Sequence, residues 1–377
     1  MGNMLTNIGL QMNLNFIQFV FYIIFLPCCL SALFVYLIIL FSKKYHLYDT
    51  PGGRKIHSGY IPRLGGIGFI SAYLIAFFIF HFRFPDFRLL QSNFFYIVVG
   101  ATFIFIMGAW DDLKNWKAIY KFLIQCFAAA LVLYAGFHFR GFSIKAADIF
   151  INFGYAGYIL TFFWIIGITN AINLMDGIDG QAGLLSISLL ISYSVIFAVK
   201  GLNIAIIYIC LLLIFVIVGF LFFNLTKPNA KIFMGDCGSQ FLGFIIAILP
   251  LLHQDDNSEV IKLPFAAMFL MLPIFDTFAA IWRRLREKRS ISDADKFHLH
   301  HKLMLMGFSS RKALILFILL QSIINIFVTI AILMSGFTAI FIIIGLILMG
   351  ILFFALIHYK KEKLISENKN DHLQKDR

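Results

Sequence analysis

Three short segments of this chain collect the residue types that metal and phosphate chemistry requires. GAWDDLKNWKAIYK (108–121) places two adjacent carboxylates, Asp111 and Asp112, where an apolar run ends. Acids at a helix C-terminus meet the negative end of its dipole, at a cost of a few tenths to about 1 kcal/mol, and neighbouring acids also repel each other. Something cationic should offset this, either Mg²⁺ or Lys121, which begins the next apolar run and could face back. NAINLMDGIDG (170–180) offers Asn170, Asn173, Asp176 and Asp179 beside Gly177 and Gly180, without a lysine or arginine. A metal or bound ligand would then partner its acids; a capped helix junction is the plainer reading. GDCGSQFLG (235–243) sets Asp236 between glycines ahead of another apolar run. Free backbone N–H groups at a helix start attract anions. A carboxylate in the same turn suits Mg²⁺, which takes one or two carboxylates plus substrate phosphates. A glycine turn with an Asp cap explains the pattern equally well.

Two basic segments complete the set. DTPGGRKIHSGYIPRLGG (49–66) carries Arg54, Lys55, His57 and Arg63, charge-assisted donors for phosphate oxygens or simply an anchor on the membrane surface. RRLREKRSISDADKFHLHHKL (283–303) brings His298, His300 and His301. On a helix His298 and His301 would share a face, which raises zinc, yet no third ligand has matching spacing. Contacts to a phosphorylated sugar suit these residues better. The five cysteines show neither metal-ligand nor disulfide spacing and read as packing residues.

The elements that must position these residues are membrane helices. The chain is 61% hydrophobic and 13% charged, against roughly a quarter charged in a soluble domain. Apolar runs long enough to cross a hydrocarbon core occur near 15–41, 64–82, 93–110, 121–137, 157–174, 183–199, 203–222, 241–252, 262–281, 313–334 and 338–358. The expected fold is an all-α polytopic membrane protein of about eleven transmembrane helices. Residues 1–358 form one transmembrane catalytic domain, and 359–377 a polar tail expected to be disordered. The run at 241–252 is short and could begin near Ile232 or be re-entrant, and the external segment 138–156 could form a small hairpin.

With the N-terminus outside, 25 of the 31 lysines and arginines fall in one set of alternate loops and the tail. That asymmetry marks the set as cytoplasmic. It also explains the net charge of +12 by topology and anionic lipid rather than nucleic acid. Of the 19 acids, Asp49, Asp111, Asp112, Asp176, Asp179, Asp236 and Asp276 sit against spans from five loops or helix ends, all facing that compartment. Carboxylates for Mg²⁺, basic loops for phosphates and a membrane location together describe phosphoryl transfer to a lipid partner, in which the protein chiefly positions groups and stabilises charge.

These motifs, in this order, resemble the polyprenyl-phosphate N-acetylhexosamine-1-phosphate transferases of the WecA/TagO/MraY type. The likeness runs from about residue 40 to about 310. It implies transfer of N-acetylglucosamine-1-phosphate from UDP-GlcNAc to undecaprenyl phosphate, with release of UMP, at the inner (plasma) membrane with the active site facing the cytoplasm. Asp49, Pro51, Arg54, Lys55, His57, Pro62, Arg63, Gly65 and Gly66 match the family's first loop. The resemblance gives Asp111, Asp112 and Asp236 catalytic roles and leaves open which acid is the base. It implies Mg²⁺, or Mn²⁺ in its stead, at Asp236, Asn173 and Asp112. Lys121, Asn170, Asp176 and Asp179 would hold the nucleotide, with Asp179 the uracil contact. Arg54, Lys55, His57, Arg63, His298, His300 and His301 would bind phosphate and sugar, the HLHH stretch pointing to the N-acetylglucosamine branch. Gln181 stands where the family commonly has leucine. A homodimer is among the partners suggested. The alternatives are another UDP-N-acetylhexosamine donor, a secondary transporter and a zinc hydrolase built on HLHH.

Overall fold

Within hydrocarbon no water is present to satisfy backbone N–H and C=O groups, so an apolar run must pair them internally as a helix. The computed structural model describes residues 16–48, 61–84, 93–114, 116–144, 149–202, 204–252, 261–290, 297–334 and 336–375. Its helices are, in chain order, α1 (Phe16–Lys44), α2 (Gly65–Arg83), α3 (Phe94–Lys114), α4 (Ala118–Tyr134), α5 (Tyr155–Leu174), α6 (Gln181–Lys200), α7 (Ile204–Asn224), α8 (Gly235–Ile248), α9 (Leu263–Phe269), α10 (Met271–Arg286), α11 (Leu299–Leu305), α12 (Ser310–Met334) and α13 (Gly336–Lys375). Among the described residues eight are long and apolar enough to cross a membrane. The shorter α4 and α8 and the bent pair α9–α10 occupy the other three expected runs. The chain is thus an all-α polytopic membrane protein.

α7 is apolar on every side, and a helix of that kind belongs in an interior; most of it is buried. α8 is the second interior helix, packed against α2, α3 and α5 and buried along almost its whole length. Close approach is achieved with glycine: a Cβ on Gly108 of α3 would lie 2.4 Å from Cys237 Cα of α8. Outer helices instead expose large apolar side chains, such as Phe163 and Leu356, as lipid contact requires. At the end of the bundle remote from the acids, β1 (Gly141–Ile144) and β2 (Ile149–Asn152) form the expected antiparallel hairpin, Gly141 opposite Asn152.

Two expectations are corrected. The short run at 241–252 starts at Gly235, close to the alternative start near Ile232, and is prolonged by a 3-10 turn at Leu249–Leu251, so Asp236 lies inside the first helical turn rather than before it. The run at 262–281 breaks, with α9 and α10 bent by 80° about Leu270. Pro273 has no N–H to give the carbonyl one turn earlier, and that carbonyl, of Phe269, accepts from Gln321 Nε2 at 2.8 Å instead. α13 continues to Lys375.

Candidate active site

The acids gather at one end of the bundle because four helix termini meet there. Asp111 and Asp112 lie in the last turn of α3, Lys121 in the first turn of α4, Asn173 in the last turn of α5 and Asp236 in the first turn of α8. Lys121 Nζ donates to Asp111 Oδ2 at 2.8 Å and to Asp236 Oδ2 at 3.0 Å. It is the inward-facing cation that the acidic helix end called for. Asp111 Oδ1 also accepts from the Trp116 backbone N–H at 2.7 Å.

Asp112 solves its dipole conflict differently. Its two carboxylate oxygens accept the backbone N–H groups of Asp236 (2.8 Å) and Cys237 (3.0 Å). An acid unfavourable at the end of α3 thereby caps the positive start of α8. Gly235 makes this possible: it has φ +75, and a Cβ there would come 2.0 Å from the Arg63 carbonyl and 2.5 Å from Asp112 Oδ2. A side chain at 235 would push the two helix ends apart.

Asp236 is the hub. Besides Lys121, its carboxylate accepts from Asn173 Nδ2 (3.2 Å) and Gln240 Nε2 (3.2 Å), with Arg63 Nη2 at 3.8 Å. Arg63 is carried by a backbone clip: Phe233 N–H donates to the Pro62 carbonyl, and Gly65 and Gly66 N–H donate to the carbonyls of Phe233 and Met234. Asn173 Nδ2 also donates to Ser239 Oγ at 2.8 Å, which turns its side-chain oxygen away from that work.

Beside the hub opens a cavity of about 480 Å³ whose wall includes Arg63, Asn173, Asp176, Asp179, Asp236 and His301. Asp176 is pushed up to about 7, first by burial and then by the Asp236 charge, with Arg63 opposing and Asp179 adding to the rise. Three histidine rings follow one another to the cavity wall: His298 and His300 have centroids 6.1 Å apart and nearly parallel planes, and His300 lies 4.2 Å from His301. His300 is buried, and neither ring nitrogen has a hydrogen-bond partner among the described residues. Burial, then the neighbouring His301 and His298, pull its pKa down to about 3, so it is neutral at any physiological pH.

Comparison with known proteins places this arrangement. The glycosyl transferase family 4 profile matches residues 94–254, which run from α3 past α8 and include every acid of the hub. The chain is 38% identical over 282 residues to a probable undecaprenyl-phosphate N-acetylglucosaminyl 1-phosphate transferase of Bacillus subtilis, covering 74% of this chain and 75% of that one. The chain belongs to glycosyl transferase family 4. It is also 30% identical over 289 residues to the undecaprenyl-phosphate alpha-N-acetylglucosaminyl 1-phosphate transferase of Yersinia pestis, and 30% over 291 residues to that of Escherichia coli K12, covering 76% of this chain and 77% of the relative in both cases.

Measured against the expectations, this family 4 chain brings Asp111, Lys121, Asn173 and Asp236 into one hydrogen-bonded group and sets Asp176, Asp179, Arg63 and His301 on the adjoining wall. Asn170 is not among the cavity-lining residues. Its amide exchanges hydrogen bonds with Gln125, which reaches on to Gln240 at 2.8 Å. Asp112 faces backbone N–H groups rather than the cavity. His298 precedes α11 instead of lying within it, so it does not share a helical face with His301. Among the described residues no three His, Cys, Asp or Glu side chains gather as a metal site. Arg54, Lys55 and His57, with Asp49 and Pro51, lie outside the described residues.

Some partners escaped the sequence reading. Asn224, the last residue of α7, accepts the Gly180 N–H at 2.7 Å and donates to the Ile232 carbonyl at 2.9 Å, tying the 175–180 turn to the approach to α8. Gln125 and Gln240, amides in the membrane-embedded helices α4 and α8, were equally visible as polar residues. Polar side chains within membrane helices carry that signal by their cost alone.

Proposed function

We propose that this protein transfers N-acetylglucosamine-1-phosphate from UDP-GlcNAc to undecaprenyl phosphate, releasing UMP and forming the lipid-linked sugar that starts a cell-envelope polysaccharide. The observation that carries the reading is the placement of Asp236, Asn173 and Arg63 on one wall of a cavity shared with Asp176, Asp179 and His301. A nucleoside diphosphate-sugar needs both charge-stabilising and recognition groups, and one cavity brings Arg63, Asp236 and Asn173 together with Asp176, Asp179 and His301. The names of the relatives support the same donor and acceptor.

In this reading a lipid-phosphate oxygen attacks the sugar-linked phosphorus, the bond to the UMP oxygen breaks, and UMP leaves with the electron pair. Lys121 and Arg63 stabilise the phosphate charge that builds up. Asp112 holds the start of α8, so that Asp236 stays aimed at the cavity. The donor set suits Mg²⁺, which takes one or two carboxylates plus substrate phosphates: Asp236 would hold the ion, and Asn173 beside it would join once its amide, now donating to Asp236, turned its oxygen inward. Bound there, Mg²⁺ neutralises diphosphate charge. The proposed setting is the inner (plasma) membrane with this end of the bundle facing the cytoplasm, in accord with the distribution of basic residues; a homodimer belongs to the same proposal.

Purified protein in detergent, given undecaprenyl phosphate, Mg²⁺ and a panel of UDP-sugars, tests this through UMP release. Release that needs both lipid and metal, fastest with UDP-GlcNAc, is expected. Folded protein that releases no UMP from any donor would overturn it.

A further inference from the structure

Asp276 lies in α10, outside the hub, yet it is wholly buried and engaged on both oxygens. Oδ1 accepts the backbone N–H of Leu299 at 2.8 Å, and Oδ2 meets His298 Nδ1 at 2.8 Å. One carboxylate therefore grips both the first residue of α11 and the ring just before it. With a carboxylate oxygen as acceptor, Nδ1 of His298 is the donor in this contact, which sets the orientation of the ring. From His298 the stack continues through His300 to His301 on the cavity wall. His300 in turn fits against the nucleotide-side turn so closely that a Cβ on Gly177 would lie 2.0 Å from its Cε1. The chain of contact thus runs unbroken from a buried acid in a bent membrane helix to the cavity.

We propose that Asp276 is a positioning residue for donor recognition, fixing the orientation of the His298 ring and, through the stacked rings, the place of His300 and His301 against the 175–180 turn. This rests on the function proposed above. A buried acid serving only to bolt α10 to α11 would matter for stability and would affect both substrates alike. An acid that orients a recognition wall matters for one substrate. In Asp276→Asn the amide oxygen still accepts from Leu299, but the amide N–H₂ turned to His298 can only donate, so Nδ1 of His298 loses its acceptor.

The test is steady-state kinetics of the full chain in detergent, varying UDP-GlcNAc and undecaprenyl phosphate separately, with calorimetric UDP-GlcNAc binding alongside. Asp276→Asn is expected to raise the donor KM about tenfold or more, the size of effect seen when a partner that orients a functional histidine is lost, with the acceptor KM within about twofold. His298→Ala should do the same. The double variant should be no worse than the more impaired single one, because the two residues act as one unit. If Asp276→Asn yields no folded protein, His298→Ala, which leaves Asp276 bonded to Leu299, carries the same comparison. Equal loss toward both substrates, additive effects in the double variant, or an unchanged donor KM would overturn the proposal. If wild-type protein binds UDP-GlcNAc but releases no UMP, the transferase reading fails, and the binding data still decide the role of Asp276. Absence of both would overturn the two together.

Discussion

Two polar clusters face the same cavity and are built on opposite plans. Around Asp236 every carboxylate is matched: Lys121 bridges two acids, Asp112 caps α8, and Asn173, Gln240 and Arg63 complete the hub. Four helix termini supply the groups, so the geometry is set by the packing of the bundle itself. The histidine wall is gripped by Asp276 at His298, and next to it lies a buried ring, His300, whose two nitrogens have no hydrogen-bond partner among the described residues. Leaving such atoms unpaired costs about 1–3 kcal/mol each, which the folded chain tolerates at His300, while among the described residues the hub carboxylates are all paired. The contrast separates two tasks. A preorganised charged centre suits phosphate transfer, whereas a histidine wall that reaches the cavity at His301 suits an uncharged part of the donor.

The largest expected effect breaks the first plan. Asp236→Asn removes the charge that Lys121 and Arg63 converge on while keeping a similar shape. Transfer should fall about 10³-fold, the upper range for loss of a single preorganised electrostatic group, and gel filtration should still show folded protein. A loss under tenfold would mean that the hub is structural. On the wall, Gly177→Ala should cost about ten- to a hundredfold in kcat/KM for the donor, as expected when a recognition group is displaced by roughly an ångström. It should also lower the melting temperature, because overpacking a filled site costs about 1–3 kcal/mol. Adding His300→Ala should recover the melting temperature without the activity. If the double variant melts no higher than Gly177→Ala alone, the contact between these residues is not what matters.

The sequence and the structure part company in an instructive place. Runs of apolar residues predicted where helices form, and the asymmetry of acids predicted that they would meet at one end, because both follow from what hydrocarbon will accept. A cation facing the acidic end of α3 was legible from the dipole cost, with Lys121 and Mg²⁺ the two candidates. The role of Asp112 was not: adjacent acids look equivalent in sequence, and only the arrival of α8 at the end of α3, through Gly108 and Gly235, gives one of them a helix to cap. Asn170, one turn before Asn173 on α5, is engaged by Gln125, a partner on another helix that no local pattern encodes. The bend at Leu270 hid in plain view as Pro273, but its compensation by Gln321 is a contact between distant helices that no local pattern encodes.

The smallest expected effect sharpens the comparison through pH, because Asp176 stands on the cavity wall under the influence of the hub. Burial and the Asp236 charge raise its carboxyl from the ordinary value of 3.8 to about 7. The sign follows from linkage: a carboxyl that holds its proton more tightly when folded destabilises the fold once it ionises. That penalty is absent below about pH 4, grows as pH rises toward 7, and is level above. An amide in its place never ionises, so Asp176→Asn should melt no higher than wild type near pH 4 and about 1–3 °C higher at pH 8, a modest gain because Asp176 is partly exposed. The same variant should bind the donor less well, since an acid kept at such a cost is expected to serve the ligand. Melting curves of the metal-free protein at pH 4.5, 6 and 8 decide it. An advantage of equal size at all three would show that Asp176 feels only burial of its shape and not the charge of Asp236, and the wall and the hub would then be electrostatically separate.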